Sequence, residues 1–157
     1  MKKKIVLIGM MGSGKSTIGK ILSKTLKLNF IDTDILIEKK CGLKIKKIFD
    51  KYGEKYFREK EEKIVLNVLL NDKTPCVLAL GGGAFLNKKL QKIILKKTIS
   101  VWLDTNIELI YKRCKKSNKR PLLDESNDKK LKKIIKDLLK IRNPIYSKAK
   151  FIVKTNE

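Results

Sequence analysis

Residues Gly9-Met10-Met11-Gly12-Ser13-Gly14-Lys15-Ser16-Thr17 fill the pattern G-x-x-x-x-G-K-[ST], directly after the apolar run Ile5-Val6-Leu7-Ile8. Glycines at this spacing let the backbone curl so that successive N–H groups point inward. Together with the N-terminus of a following helix they attract a polyphosphate. The chemistry expected is nucleoside triphosphate binding, with contacts from Gly12, Ser13, Gly14, Lys15, Ser16 and Thr17. Lys15 would reach the β- and γ-phosphates, and the Ser16 hydroxyl would face Mg²⁺.

A second set of residues points to an anionic acceptor. Of the 39 basic residues only Arg58, Arg113, Arg120 and Arg142 are arginine. Where lysine is so heavily used, a retained arginine suggests a need for a planar, bidentate fork. Arg58 shares a helical stripe with Glu61, Val65 and Leu69, and the stripe Leu131, Ile134, Ile135, Leu138, Leu139 extends to Arg142. Both guanidiniums should therefore face inward, where they pair within the protein, with Glu61 one turn from Arg58, or clamp a carboxylate. Arginines that only snorkel from a stripe edge would share this spacing. Arg113 and Arg120 flank the polar run 114–119, which reads as a closing lid over a phosphate site or as a solvated loop.

Asp32 and Asp34 follow an apolar strand, and the chain has no histidine, so a protein general base must be a carboxylate. Strand three runs from Leu80 directly into Gly81-Gly82-Gly83 with no acidic residue. Asp32 is then the natural substitute as a Mg²⁺ partner, although an aspartate after a strand also serves as a helix cap.

These groups need a scaffold that brings distant segments together. Strand-like runs at 4–9, 29–32, 76–80, 98–103 and 151–154 alternate with amphipathic stretches. Such alternation predicts an α/β fold, a parallel sheet flanked by helices on both faces, with ligands at the carboxyl edge of the strands. Gly9, Asp32 with Asp34, Gly81 to Gly83, and Asp104 after strand four should converge there.

The 157 residues fit one domain, with no linker or repeat. Cys41, Cys76 and Cys114 are odd in number and widely spaced, which suggests neither a disulfide frame nor a zinc site and fits a reducing cytoplasm. No run is long and apolar enough for a membrane span. The net charge of +23 comes from lysines scattered over nearly every helix and not interleaved with stacking aromatics. Solvated faces, with only nonspecific adhesion to anionic polymers at low salt, are expected instead of a specific nucleic-acid site.

The ordered motifs Phe30-Ile31-Asp32-Thr33-Asp34, Phe57-Arg58-Glu59-Lys60-Glu61, Gly81-Gly82-Gly83, Arg120-Pro121-Leu122-Leu123 and Arg142-Asn143-Pro144-Ile145-Tyr146, with the phosphate loop, resemble the shikimate kinase family over almost the whole chain. The resemblance implies a nucleoside-monophosphate-kinase-like P-loop fold with five parallel strands, a substrate-binding region at about 33–61 and a lid at about 114–127. It implies transfer of the γ-phosphoryl of ATP, with Mg²⁺, to the 3-hydroxyl of shikimate, on the route to chorismate and aromatic amino acids. By position, Asp34, Arg58, Gly82, Gly83 and Arg142 would bind shikimate, and Lys15, Asp34 and Arg120 would be catalytic. Arg113 would lie by the adenine, and Ser16 and Asp32 would serve the metal. A monomer is expected. Family members usually continue past the last strand, so a looser adenine pocket is expected here. Another small-metabolite kinase, acting on gluconate or a nucleotide, is the alternative; paired arginines with Asp34 suit a polyhydroxylated carboxylic acid better.

Overall fold

The computed structural model describes residues 4–116 and 128–155. Along them run β1 (Ile5–Ile8), α1 (Lys15–Thr25), β2 (Asn29–Asp32), α2 (Thr33–Cys41), α3 (Ile45–Leu70), β3 (Cys76–Ala79), a 3₁₀ turn (Ala84–Leu86), α4 (Lys88–Lys97), β4 (Ile99–Thr105), α5 (Ile107–Lys115), α6 (Asp128–Tyr146) and β5 (Phe151–Thr155). The strands form one sheet in the order β2-β3-β1-β4-β5, every neighbouring pair parallel. β1 and β3 are near-continuous apolar runs because central parallel strands are covered on both faces. Their side chains join Val65 and Val68 of α3, Leu90 and Ile94 of α4, Ile110 of α5 and Ile135 of α6 in the main core. A smaller cluster of Ile37, Ile48, Phe57 and Ile64 fastens α2 to α3.

The registers align the carboxyl ends of the strands that carry the functional residues. Asp32 of β2 lies beside Ala79 of β3, which in turn lies beside Leu7 of β1. The Leu80 N–H then donates to the Leu7 carbonyl at 3.1 Å, so β3 stays attached to β1 until the glycine segment begins.

One element is broken at a glycine, and one ends later than the sequence reading placed it. The helical segment that carries Arg58 and Glu61 begins after Gly53, where a kink at φ 79° and ψ 171° interrupts α3. That conformation is open to glycine and strained for other residues, which explains a helix break without a proline. β4 continues to Thr105, so Asp104 lies inside the strand opposite Lys154 and not after it. Asp104 is absent from the lining of the main cleft, and the expectation that it joins the other strand ends there is corrected. The extra pairing with β5 carries β4 past the point where its apolar run ends.

Candidate active site

The phosphate loop is shaped by two glycines in the left-handed region, Gly12 at φ 81° and Gly14 at φ 93°. Gly14 is the N-cap of α1, which has no side-chain cap and no acidic residue in its first turn. The free N–H groups and helix dipole thus present positive potential to the cleft. Lys15 is buried and donates from Nζ to the Gly9 and Met10 carbonyls, each at 2.9 Å. The ammonium spans the curl of the loop, where a polyphosphate would compete for it.

Asp32 does two jobs at once. Its Oδ1 accepts from the Asp34 and Ile35 N–H groups at 3.0 and 3.3 Å, capping α2, while its Oδ2 accepts from Ser16 Oγ at 2.5 Å. Capping therefore falls to Asp32, and the Asp34 carboxylate is left for the cleft. Ser16 and Asp32 together offer two hard oxygen donors at the phosphate end. This donor set fits Mg²⁺, which uses one or two protein oxygens and completes its shell with phosphate and water.

Asp34 sits in the first turn of α2 and leans toward the glycine segment: a Cβ built on Gly81 would be 2.7 Å from Asp34 Oδ1 and 2.9 Å from Glu61 Oε1. Burial, then the charges of Asp32 and Glu61, raise the Asp34 carboxyl to about 6, against the pull of Lys15 and Arg58. Glu61 is buried and its Oε1 has no hydrogen-bond partner. Burial also pushes its carboxyl up, opposed by Arg58 and Arg142.

The arginines reach the cleft in different states. Arg58 is clamped along its own helix: Nη1 donates to Glu61 Oε2 at 2.7 Å, and Nε and Nη2 donate to Glu54 Oε1 at 3.3 Å. Burial works against its charge, but Glu61 and Glu54 outweigh it and raise the guanidinium overall. Arg142 is 4% exposed, donates from Nη1 to the soft Met10 Sδ at 3.6 Å, interacts with the Tyr146 phenol, and keeps a buried Nε with no partner among the described residues. A buried cation with an unpartnered Nε could accept an anion at low desolvation cost. Both forks press on the glycines, since a Cβ at Gly83 would stand 2.6 Å from Arg58 Nη1 and one at Gly82 would stand 3.2 Å from Arg142 Nη1. Side chains at these positions would displace the forks, so the sequence reading of Gly82 and Gly83 acquires a steric reason.

These groups share one cleft of about 760 Å³, running from Lys154, Thr155 and Arg113 past the phosphate loop to Asp34, Arg58, Glu61, Gly81 to Gly83 and Arg142. The size suits two small ligands end to end. Phe49 and Phe57, with ring centroids 4.7 Å apart, supply an apolar wall at the acceptor end. Arg113 donates from Nη1 to the Gly12 carbonyl at 3.0 Å, bracing the phosphate loop from α5. Arg120 and most of the expected lid lie outside the described residues.

A family model described as shikimate kinase matches residues 11–157. The shikimate kinase of Francisella tularensis subsp. novicida (strain U112) is 44% identical over 155 residues, 98% of this chain and 86% of the relative. That of Pasteurella multocida (strain Pm70) is 41% identical over 157 residues, 99% of this chain and 87% of the relative. The chain belongs to the shikimate kinase family. The solved shikimate kinase from Acinetobacter baumannii, in complex with shikimate, superposes with a TM-score of 0.92 at 36% identity, covering 99% of this chain and 84% of that one. A gluconokinase from Sinorhizobium meliloti 1021 shares the fold alone, at 14% identity and a TM-score of 0.54. The P-loop kinase fold with five parallel strands, expected from the motifs, is therefore that of the shikimate kinase family.

Within this shikimate kinase fold, three contributors escaped the sequence reading. Glu54 holds the outer edge of Arg58 at i−4, a spacing readable in the helical segment that follows Gly53. Thr33 accepts from the Gly81 N–H at 2.9 Å across 48 residues, and Met10 meets Arg142 across 132. No local pattern marks either of these long-range contacts. Among the described residues no helix is long and apolar enough to cross a membrane.

Proposed function

We propose that the chain transfers the γ-phosphoryl group of ATP to the 3-hydroxyl of shikimate, giving ADP and shikimate 3-phosphate. The observation that carries this reading is the meeting of an unsatisfied buried arginine, Arg142, and a pre-oriented one, Arg58, with Asp34 in the same cleft as the phosphate loop. A carboxylate suits the two forks, ring hydroxyls suit Asp34, and Phe49 and Phe57 suit the faces of a small carbocycle.

In this reading the phosphate loop and Lys15 hold the β- and γ-phosphates. Arg58 and Arg142 take the acceptor carboxylate, the latter exchanging Met10 Sδ for a far stronger partner. Fixing the acid at one end sets the hydroxyl at the other beside Asp34, so attack is in line with the γ-phosphate. The new bond joins the acceptor oxygen to phosphorus as the bond from phosphorus to the β-phosphate oxygen breaks. Asp34 accepts the hydroxyl's hydrogen bond and steers its proton. A carboxyl raised to about 6 is ionised at neutral pH yet more basic than a surface aspartate. Mg²⁺, held by Ser16 and Asp32, would neutralise charge on the phosphates when bound. Arg113 lies at the nucleotide end, where it steadies the loop beneath the adenosine.

The test is ADP formation from Mg-ATP with shikimate, beside reactions containing gluconate, nucleoside monophosphates or no acceptor. Turnover with shikimate alone is expected. Equal or greater turnover with another acceptor, or none with shikimate, would overturn the assignment.

A further inference from the structure

We infer that Tyr146 is a positioning residue for the acceptor: its hydroxyl fixes the Gly82 carbonyl, and with it the glycine segment against which the Arg142 fork is set. The inference rests on the acceptor reading above and adds to it a residue that touches no ligand.

Tyr146 ends α6 and is fully buried, its ring 6.1 Å from that of Trp102 on β4. The hydroxyl donates to the Gly82 carbonyl in a short hydrogen bond. A buried phenol requires such a partner, and burial pushes this one up to about 12, against the influence of Arg142 and Arg58, so it is a proton donor throughout the working range. Arg142 lies four residues earlier on the same buried face of α6.

Three other polar groups of the glycine segment are anchored differently. The Gly81 N–H donates to Thr33 Oγ1. The Gly81 and Gly83 carbonyls accept from the Ala84 and Leu86 N–H groups in the turn that follows, each at 3.1 Å. The Gly82 carbonyl instead depends on Tyr146, the side chain that reaches the middle of the segment. Gly82 is also wedged: a Cβ there would meet Arg142 Nη1 at 3.2 Å and the Met11 N at 3.3 Å. Its backbone is thus a spacer between the guanidinium and the phosphate loop, and any rotation of its peptide moves that spacer.

The two arginines differ in what else holds them. Arg58 has Glu54 and Glu61, whereas Arg142 has a thioether, the Tyr146 phenol and an unpartnered Nε. Arg142 is placed by packing against Gly82 and Met10 and by the Tyr146 phenol itself, so the tyrosine acts on the fork both directly and through the Gly82 carbonyl. Pro144, two residues before the tyrosine, lacks the N–H that would bond back to the Lys140 carbonyl, so the last turn of α6 is less secured by its own ladder. The tyrosine tether ties that turn to the sheet instead.

Tyr146→Phe in the full chain tests this, with shikimate affinity measured by calorimetry and steady-state constants for both substrates. A net hydrogen bond of about 1–2 kcal/mol corresponds to a rise of roughly 5- to 30-fold in shikimate Kd and KM. The KM for ATP should change less than about twofold and kcat less than about threefold, a split that general loss of packing would not give. In an Arg142→Lys background the same change should have less than about a twofold effect, because the fork it positions is gone. That cycle, run at low temperature, separates positioning from stability even if Tyr146→Phe melts early. A wild-type chain that ignores shikimate would overturn the acceptor reading and this inference together. Wild-type turnover with an unchanged shikimate KM in Tyr146→Phe, or an equal effect in both backgrounds, would overturn the inference alone.

Discussion

Asp34→Asn should make the ligand-free protein more stable while removing most of its turnover. In the fold, the Asp34 carboxyl rises from its ordinary 3.8 to about 6. A shift of about two units corresponds to about 3 kcal/mol between the protonation states. Asp34 lines an open cleft and is only half-buried as a residue, so water screens part of that cost. About 1–2 kcal/mol is the expected gain on neutralisation, or roughly 3–6 °C in melting temperature for a domain of this size. Its carboxylate accepts no hydrogen bond among the described residues, so asparagine should forfeit little in exchange.

The sign follows from proton counts. Between about 3.8 and 6 the folded state holds more protons at this site than the unfolded chain, so stability falls as pH rises through that window. Below it both states carry a neutral acid, and asparagine offers no advantage. Above it both are ionised, and the full cost of the buried charge is present. Thermal melts of the ligand-free wild type and Asp34→Asn at pH 4, 5, 6, 7 and 8 should coincide at the acid end and separate to a plateau above about pH 6. A gain independent of pH, or an asparagine variant no more stable at pH 8, would refute the reasoning. Turnover with shikimate should fall by roughly 10²-fold or more, the scale of a lost acid–base group.

Three further outcomes follow from the site. Arg58→Ala should raise the shikimate KM by roughly 10- to 100-fold, as for a lost charge-assisted bond, and leave ATP affinity nearly intact; equal loss of both ligands in binding titrations would count against it. Arg142→Met should remove shikimate binding yet change the melting temperature little, because relief of a buried cation with an unpartnered Nε offsets the loss of its contacts with Glu61 and Tyr146; a marked drop in melting temperature would show that the guanidinium stabilises the fold. Lys15→Ala should abolish ADP formation while shikimate still binds by calorimetry, and retained turnover would remove Lys15 from its assigned role.

Much of this was legible in residue order. Strand β2 has the bounds expected, and Cys76 and Phe151 begin their strands where apolar runs begin. The helical stripes correctly turned Glu61, Val65 and Arg142 inward, because a period of 3.6 fixes which side chains share a face. The end of β4 was not legible: Asp104 looks like a strand terminator until β5 pairs beside it.

The sequence by itself determined the chemistry that contiguous residues encode. Glycines at fixed offsets curl the phosphate loop, Lys15 and Ser16 follow at the helix start, and the Arg58–Glu61 pair closes over one turn of helix. Each is set by backbone preferences acting within a few residues. Only the tertiary structure decided which aspartate caps α2 and which faces the cleft, and that the glycine segment is bounded by both guanidiniums. It alone brought Tyr146 to Gly82 across 64 residues. Those contacts exist because sheet register and helix packing bring together groups far apart in the chain, and no local periodicity carries that information.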